Sequence, residues 1–322
     1  MIQTFKSNFN VRLENFIKEK QASGYPYEDS QRILQRFDEF CLEIYPKLTA
    51  LSKELVLAWA ERKHSESPGG FRRRLQPVRE FGRYLTRQGE NAYVIPVNLA
   101  PKDIRYTPHI FTKEELQCFF VRADELPCDK RYPLLHYTVS AIFRVIYCCG
   151  LRPGEARRLK TAEVDRINGV LHISESKGHK DRNVPLSPDV LELCRRYNML
   201  AEAYMPNREF FFSYAPNLPC SKDWMKYSFR KIWAQTKNHN CRGSRPRTYD
   251  FRHTFATNRL ILWMNEGRDL SVCLPYLSAY LGHALLSDTA YYIHLCPELL
   301  PKTALEKYGE FQYLIPEVNE YE

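Results

Sequence analysis

The chain has 322 residues, of which 44% are hydrophobic and 26% are charged, so it carries enough apolar material for two domains with separate cores. Its formal net charge is +9, and the basic excess is spread over both halves, which suits a protein that binds a polyanion and excludes a basic tail as the source. No apolar run approaches the roughly 18 to 20 residues that a membrane span requires, so no membrane association is expected.

Residues 1–92 are predicted to form an all-helical domain. Apolar residues recur at helical spacing in four segments, which are residues 8–20, 30–44, 52–63 and 69–89. Ser52 is expected to cap the third helix. The fourth helix is strongly basic, and its Arg72, Arg73 and Arg74 are candidate contacts to a bound polyanion. A solvated helix face is the alternative interpretation of that run.

Residues 93–109 are predicted to be a linker, because they contain three prolines and show no helical period. The second domain, residues 110–322, opens with Thr112 and Glu115 at the spacing of a capping box. Further helices are predicted at residues 188–200, 222–235, 250–264, 276–284 and 287–294. Residues 169–186 alternate like two strands around a turn, which predicts a hairpin. This domain is therefore expected to be mostly helical with one small antiparallel sheet.

The stretch "CGLRPGEARRL" places Arg152 directly before Pro153, a residue that commonly opens a helix. A positive charge at a helix N-terminus is unfavourable to the helix dipole, so Arg152 invites a functional interpretation. The alternative is structural, since Arg152 can pair with Glu155 three residues later.

The hairpin turn "ESKGHKDRNVPL" carries Lys177 and Lys180 beside a glycine, where an ammonium group can reach a neighbouring groove. Solvated charges at a hairpin tip are the alternative. The stretch "RTYDFRHTFATNRL" places Arg252 and His253 near the start of a helix. That pair can be functional, or the histidine can donate a hydrogen bond to a backbone carbonyl.

The stretch "LSAYLGHALLSDTAYYIH" ends one helix at Gly282 and leaves His283 in the break. Ser287 is expected to cap a short helix that holds Tyr291 and Tyr292. Adjacent residues of a helix point about 100° apart, so only one of the two tyrosines can face a given ligand. Helical geometry alone leaves both candidates open.

Together, these stretches supply the groups that a metal-free phosphodiester transesterification needs. Planar guanidinium groups neutralise phosphate oxygens, and a phenol can attack phosphorus. A lysine can protonate the departing oxygen, and an imidazole can hydrogen-bond the phosphate. The sequence offers no acidic cluster for a metal, and its ten cysteines include no CxxC pair. We therefore expect reduced thiols in a cytoplasmic protein, without a metal or cofactor.

The four stretches, in this order, resemble those of the tyrosine recombinase (phage integrase) family. The resemblance makes Arg152 of "GLRPGE" the first arginine with Glu155 as its supporting acid, and it favours Lys177 over Lys180 in "KGHKDRNVPL". The remaining assignments are Arg252 of "FRHTFAT" as the second arginine with His253 beside it, His283 of "LGH", and Tyr292, nine residues later, as the nucleophile. His294 then flanks the nucleophile.

One position departs from the family pattern. The family usually has a histidine, or sometimes a lysine, three residues before the second arginine, and here that position is Tyr249. A phenol can donate a hydrogen bond to a phosphate oxygen, but it is a poor general base near neutral pH. Tyr249 is therefore expected to substitute as a donor, unless the proton of the nucleophile leaves by another route. We interpret this as a variant site that is still active.

The resemblance implies a mainly α fold, in which a helical, SAM-like core-binding domain and a mixed α/β catalytic domain form a C-shaped clamp on double-stranded DNA. It implies a site-specific recombinase of the integrase or transposase type, nucleoid-associated, which acts as a homotetramer on DNA through a 3′-phosphotyrosyl intermediate. An accessory recombinase or directionality factor is a further partner that the resemblance allows. The tail after Cys296 packs either on its own domain or on a neighbouring protomer.

Two rival functions stay open on the sequence. A type IB topoisomerase-like enzyme uses the same chemistry without a synaptic partner, although the small helical N-terminal domain speaks against it. A DNA-binding protein with a degenerate catalytic site is the non-enzymatic alternative.

Overall fold

The computed structural model of the chain divides into two compact units, Met1–Arg105 and Tyr106–Glu322. The structure describes residues 5–25, 27–101, 106–174, 181–215, 218–236 and 245–295. The boundary between the units falls inside the predicted linker, residues 93–109. The assignment of these units as a core-binding and a catalytic domain stays a prediction.

The described part of the first unit is helical. Its helices are α1 (Asn10–Ala22), α2 (Glu28–Ile44), α3 (Lys53–Trp59), α4 (Pro68–Arg87) and a 3-10 helix (Val97–Leu99). Ser52 caps α3 as predicted, since its hydroxyl accepts the backbone N–H of Leu55 at 3.2 Å. The core is rich in aromatic side chains, and Phe16 and Phe81 lie with ring centroids 5.7 Å apart. Burial of each such ring contributes roughly 1.5–3 kcal/mol to stability.

The second unit is mostly helical with one small sheet, which confirms the predicted fold class. Its helices are α5 (Lys113–Asp124), α6 (Leu135–Cys148), α7 (Pro153–Arg158), α8 (Pro188–Tyr204), α9 (Lys222–Trp233), α10 (Asp250–Asn265), α11 (Leu270–Leu281), α12 (Leu286–Ala290) and the 3-10 helices Thr161–Glu163 and Tyr291–Leu295. The predicted capping box at the start of α5 is present, with Thr112 and Glu115 each accepting the other's backbone N–H.

The sheet contains three antiparallel strands in the order β1-β2-β3, which are Val164–Asp165, Val170–Ile173 and Arg182–Pro185. The predicted hairpin is confirmed by the β2–β3 pairing, in which Ile173 lies opposite Arg182. Leu171, Ile173 and Val184 are buried, so one face of the sheet covers the core. The turn of the hairpin, residues 175–180, lies outside the described residues.

Helix α10 has two buried faces. Phe251 packs in the main core with the aromatic rings of α5, α6 and α9. Ala256 and Leu260 pack on the other side, in a smaller core with Leu281 and Tyr292. Packing on both faces therefore holds α10 between α6 and the segment that carries the tyrosine pair.

The end of the described chain differs from its prediction in two respects. Helix α11 begins at Leu270, behind an Asp269 cap, and runs through Pro275, which removes only one backbone hydrogen bond. The prediction that Ser287 caps the last helix is wrong. Leu285 occupies the N-cap position, without a side-chain cap, and Ser287 lies in the first turn. The tyrosine pair lies in the 3-10 helix that follows α12.

Among the described helices, none alone has the length and apolar composition needed to cross a membrane. Leu270–Leu281 and Leu286–Leu295 meet that test only when they are taken together, across a bend of 105°.

Candidate active site

Three arginines converge on the C-terminal end of α11. Each donates a hydrogen bond to a different one of three consecutive backbone carbonyls. The pairs are Arg182 Nε with Tyr280 O at 2.8 Å, Arg252 Nη2 with Leu281 O at 2.6 Å, and Arg152 Nη2 with Gly282 O at 2.7 Å. The last carbonyls of a helix lack intrahelical partners and lie at the negative end of the helix dipole. This end of α11 therefore holds three cationic groups together; we call them the arginine cluster.

Glu155 is the counter-ion that two members of the arginine cluster share. Its carboxylate accepts the backbone N–H of Arg152 at 2.9 Å and Arg152 Nη1 at 2.6 Å. It also accepts Arg182 Nη1 at 3.0 Å and Arg182 Nη2 at 2.8 Å. Burial alone would raise the pKa of Glu155, but the hydrogen bonds and charges of both arginines lower it to about 2. Glu155 is therefore ionised at neutral pH, and the predicted Arg152–Glu155 pair is present.

Arg252 is the largest fully buried side chain of the described structure. Its Nη1 donates to the carbonyl of Gly150 at 2.8 Å. Gly150 has φ +59°, and a Cβ there would meet the Phe255 ring at 2.5 Å, so this approach requires glycine. Among the described residues, Arg252 Nε has no hydrogen-bond partner in the fold. Burial lowers the pKa of this guanidinium, yet an arginine this basic keeps its charge.

His283 follows directly after Gly282, whose left-handed conformation ends α11 as predicted. Its Nδ1 lies 2.7 Å from the hydroxyl oxygen of Thr289 in α12, which fixes the plane of the ring. Burial, followed by the charges of Arg252 and Arg152, lowers the pKa of His283 to about 4. The imidazole is therefore neutral near pH 7 and can exchange hydrogen bonds without adding charge.

Tyr292 is buried, with only 2% of its surface exposed. Its ring lies 5.6 Å from that of His253, 6.0 Å from that of His283 and 6.2 Å from that of Tyr291. Burial raises the pKa of the Tyr292 phenol, and the charge and hydrogen bond of Arg252 act in the opposite direction. Tyr292 therefore lies beside the arginine cluster, whereas Tyr291 is a packing neighbour.

His253 is the second imidazole next to Tyr292. Burial, followed by the charge of Arg252, lowers its pKa to about 4, so it is also neutral near pH 7. Its Nδ1 is buried and lacks a hydrogen-bond partner within the described ranges. The ring packs on that of Tyr249 at 5.0 Å.

Tyr249 lies at the start of α10 and is 38% exposed. Burial disfavours the charge of Arg152, but hydrogen bonds to Glu155 and to the Tyr249 phenol contribute to a raised pKa of that arginine. The Tyr249 hydroxyl therefore lies next to Arg152 of the arginine cluster, where it can donate a hydrogen bond to a bound anion.

The remaining predicted residues have separate positions. His294 is exposed at the end of the 3-10 helix. Lys177 and Lys180 lie outside the described residues.

In α4, Arg74 pairs with Glu66 at 2.7 Å, and Arg72 donates to the Pro101 carbonyl at 2.6 Å, whereas Arg73 is exposed. The contacts of Arg74 favour a structural role for that side chain.

Arg182 is the member of the arginine cluster that was absent from the predicted site. It lies two residues before Val184 on β3, so both side chains face the same side of the strand. Val184 is fully buried, and an arginine on a core-facing side needs a buried partner. This alternation along β3 was the signal available in the sequence. It does not identify the partners of Arg182, because Glu155 and Tyr280 are remote in sequence.

Within the ranges that the structure describes, no group of three or more His, Cys, Asp or Glu side chains is arranged to hold a metal ion. The donor set of this site is cationic, and Glu155 is already engaged by two arginines. Such a set suits an anion, and a phosphate group matches the planar forks of the guanidinium groups.

Comparison with known sequences points to one family. The model of the phage integrase family matches residues 112–298. The chain is 33% identical over 308 residues to "Putative integrase/recombinase y4rB" of Sinorhizobium fredii, which covers 91% of this chain and 95% of that protein. It is 26% identical over 299 residues to the tyrosine recombinase XerC of Halalkalibacterium halodurans, covering 88% and 90% respectively.

Solved structures share the fold at low sequence identity. The lambda integrase (75–356) dimer bound to a COC′ core site has a TM-score of 0.60 at 14% identity, covering 88% of this chain and 94% of that one. The Tn1549 transposon integrase in complex with transposon right end DNA has a TM-score of 0.61 at 13% identity, covering 87% and 94%.

Proposed function

The chain belongs to the phage integrase family of tyrosine recombinases, which cut and rejoin DNA strands in site-specific recombination, and on that premise we propose that Tyr292 is its nucleophile. The observation that carries this proposal is the position of Tyr292. Its phenol lies beside two guanidinium groups that are held on the end of α11 and two neutral imidazoles. That environment suits an attack on a phosphodiester.

Arg152 and Arg252 bind the scissile phosphate in this proposal. Each guanidinium has five N–H donors, and the hydrogen bonds to carbonyls and to Glu155 use only some of them. The unpartnered Nε of Arg252 is the clearest available donor among the described residues. These charges are fixed before DNA binds, so they stabilise the additional negative charge of the transition state without reorganisation.

The chemical step is a transesterification. The phenol oxygen of Tyr292 bonds to phosphorus while the bond from phosphorus to the 5′ oxygen breaks, which leaves a 3′-phosphotyrosyl link and a free 5′-hydroxyl. Lys177 donates a proton to the departing 5′ oxygen, an assignment that comes from the family resemblance. The hydroxyl of a partner strand then attacks the phosphotyrosine, so the ester energy is conserved.

The phenolic proton needs an acceptor, and Tyr249 is a poor one near neutral pH. His253 and His283 are neutral imidazoles whose rings lie 5.6 and 6.0 Å from that of Tyr292, so they are the candidate acceptors in this proposal. Tyr249 instead acts as a hydrogen-bond donor to the phosphate, next to Arg152.

Assembly follows from the family in the same way. We expect a homotetramer on two DNA duplexes, with both units in contact with DNA as a clamp. Arg73 is the exposed member of the basic run on α4 and is a candidate contact to a phosphate. The tail after Cys296, an accessory recombinase or directionality factor and a nucleoid location stay predictions.

A suicide substrate tests the proposal. Duplexes from a randomised pool are enriched for binding to the Tyr292→Phe protein, nicked near the cleavage position and incubated with the active protein. Loss of the short 5′-hydroxyl fragment then traps the covalent complex. Wild type and Tyr291→Phe should form the adduct, and Tyr292→Phe should not. The opposite pattern would show that Tyr291 is the nucleophile.

Two further results would favour the rival functions. DNA that binds tightly but never forms an adduct would favour a degenerate site. Relaxation of a supercoiled plasmid, without strand exchange between two duplexes, would favour a topoisomerase-like enzyme.

A further inference from the structure

Arg182 has the most completely engaged guanidinium of the arginine cluster. Its Nε, Nη1 and Nη2 each donate to protein acceptors, and its side chain is 8% exposed. The side chain of Arg152 is twice as exposed, at 16%, and its hydrogen bonds to Glu155, to the Gly282 carbonyl and to Tyr249 do not use all five of its N–H donors, so some stay available to a ligand. The same carboxylate thus holds one arginine that is available to an anion and one that is not.

The reason for this division lies in the lone pairs of Glu155. A carboxylate has about four acceptor positions, and a guanidinium beside it can occupy two of them as a fork. Arg182 takes one position on each oxygen of Glu155. Arg152 takes the remaining two with one side-chain nitrogen and its own backbone N–H. Arg152 therefore cannot form a full fork with Glu155, so its other donors stay available.

Charge balance points in the same direction. One carboxylate between two guanidinium groups leaves a net charge of +1 on Arg152, Arg182 and Glu155. Without Arg182, the pair of Arg152 and Glu155 would be neutral overall, and the carboxylate would compete with a phosphate for the same donors. Arg182 also anchors the Tyr280 carbonyl, next in sequence to the carbonyls that hold the other two arginines.

We infer that Arg182 is a positioning residue for strand cleavage, which occupies Glu155 so that the Arg152 guanidinium faces the scissile phosphate. The inference rests on the proposed function, because it assigns Arg152 to that phosphate. Arg182 itself does not touch the DNA in this proposal. A purely structural arginine would instead affect folding and leave the electrostatics of the phosphate unchanged.

A methylphosphonate at the scissile position distinguishes these two roles. Replacement of a non-bridging oxygen by methyl makes the phosphate neutral, while the attack on phosphorus and the 5′ leaving group are retained. A protein that has lost charge stabilisation at the phosphate should lose less rate on this neutral substrate. The measurement is the single-turnover rate of adduct formation on matched phosphodiester and methylphosphonate suicide duplexes. For each variant, the ratio of its two rates does not depend on the folded fraction of the protein.

Three variants are compared with wild type. Arg182→Lys keeps the charge and loses the fork, and Arg152→Ala is the reference for loss of the phosphate contact. Arg208→Lys is the matched structural control, because Arg208 is 1% exposed, pairs with Glu202 at 3.0 Å and donates to the carbonyl of Phe211. Arg182→Lys should lose about tenfold to 100-fold in rate on the phosphodiester. On the methylphosphonate the loss should shrink by about fivefold or more.

The outcomes separate the inference from the proposed function. A smaller loss on the methylphosphonate for both Arg152→Ala and Arg182→Lys supports the inference. If Arg182→Lys loses the same factor in rate on both substrates while Arg152→Ala loses less on the methylphosphonate, the inference is overturned and the proposed function stands. If Arg152→Ala also loses the same factor in rate on both substrates, the assignment of Arg152 to the phosphate is wrong, and the inference fails with it. Arg208→Lys should lose the same rate on both substrates, because its contacts lie elsewhere.

Discussion

Replacement of Glu155 by glutamine removes the charge that Arg152 and Arg182 share and preserves the size of the side chain. The carboxylate is 3% exposed and accepts four hydrogen bonds of 2.6 to 3.0 Å. A glutamine amide has one acceptor oxygen, and its NH2 group would face a guanidinium donor. The variant therefore leaves buried donors without acceptors, in addition to losing the counter-ion.

The magnitude follows from the pKa of Glu155. The fold lowers this pKa from its usual 4.5 to about 2, which corresponds to about 3 kcal/mol in favour of the ionised form. Removal of one partner from a buried ion pair typically costs roughly 3–5 kcal/mol, so the two measures agree. We expect Glu155→Gln to lower the free energy of unfolding by about 3 kcal/mol at pH 7.

Urea-induced unfolding, followed by tryptophan fluorescence, measures this loss. The second unit, which contains Glu155, also contains Trp224, Trp233 and Trp263, so their fluorescence reports on its unfolding. Glu202→Gln is the matched control. Glu202 also pairs with an arginine at 3.0 Å, but its side chain is 50% exposed, so a loss under about 1 kcal/mol is expected. Equal losses in the two variants would refute the reasoning that Glu155 is a buried, shared counter-ion.

The pH dependence gives a second check on Glu155. Its pKa is lower in the folded state than in the unfolded state, so its contribution is fully present above about pH 4.5 and is lost as the pH falls toward 2. The difference in stability between wild type and Glu155→Gln should therefore stay constant above about pH 5 and shrink below it.

Three further outcomes are expected. Gly282→Ala should lower the free energy of unfolding more than Gly267→Ala. Both glycines have positive φ, but only at Gly282 would a Cβ meet a guanidinium nitrogen, at 3.0 Å. Equal losses of the two variants in urea unfolding would contradict this. The pKa values of His253 and His283 are about 4 in the fold and 6.5 ordinarily, so the unfolded state binds more protons between these two values. The free energy of unfolding should therefore fall as the pH drops from 6.5 toward 4. A flat profile from about pH 6.5 to 5 would argue against neutral imidazoles in the fold. Tyr249→Phe should slow adduct formation by about tenfold at unchanged DNA affinity, and Tyr249→His should recover part of that loss; a wild-type rate for the phenylalanine variant would remove Tyr249 from the site.

Local contacts of the candidate site were predictable from the sequence. Arg152 and Glu155 are three residues apart at a helix start, so their pairing needs no knowledge of the fold, and the same holds for the capping box of Thr112 and Glu115. The family resemblance of the four stretches also predicted that Arg152 and Arg252, which lie 100 residues apart, belong to one site.

The contacts of Arg182 were not predictable in this way. Its acceptors lie 27 and 98 residues away, on Glu155 and on the backbone of Tyr280, and a backbone carbonyl leaves no trace in residue type. Ser287 shows the opposite error. A serine near a helix start is a common cap, but the helix begins earlier, behind Leu285, so Ser287 lies inside its first turn.

The anchoring of the arginine cluster on backbone carbonyls has a consequence for mutational tolerance. Because the acceptors at positions 280 and 281 are main-chain atoms, a change of side chain there keeps them in place, provided that the replacement packs as Tyr280 does on Phe255 and Leu281 does in its core. Sequence freedom at this end of α11 is therefore limited by shape rather than by polarity. Saturation mutagenesis should recover active variants with several apolar residues at 280 and 281, and far fewer at the three arginine positions.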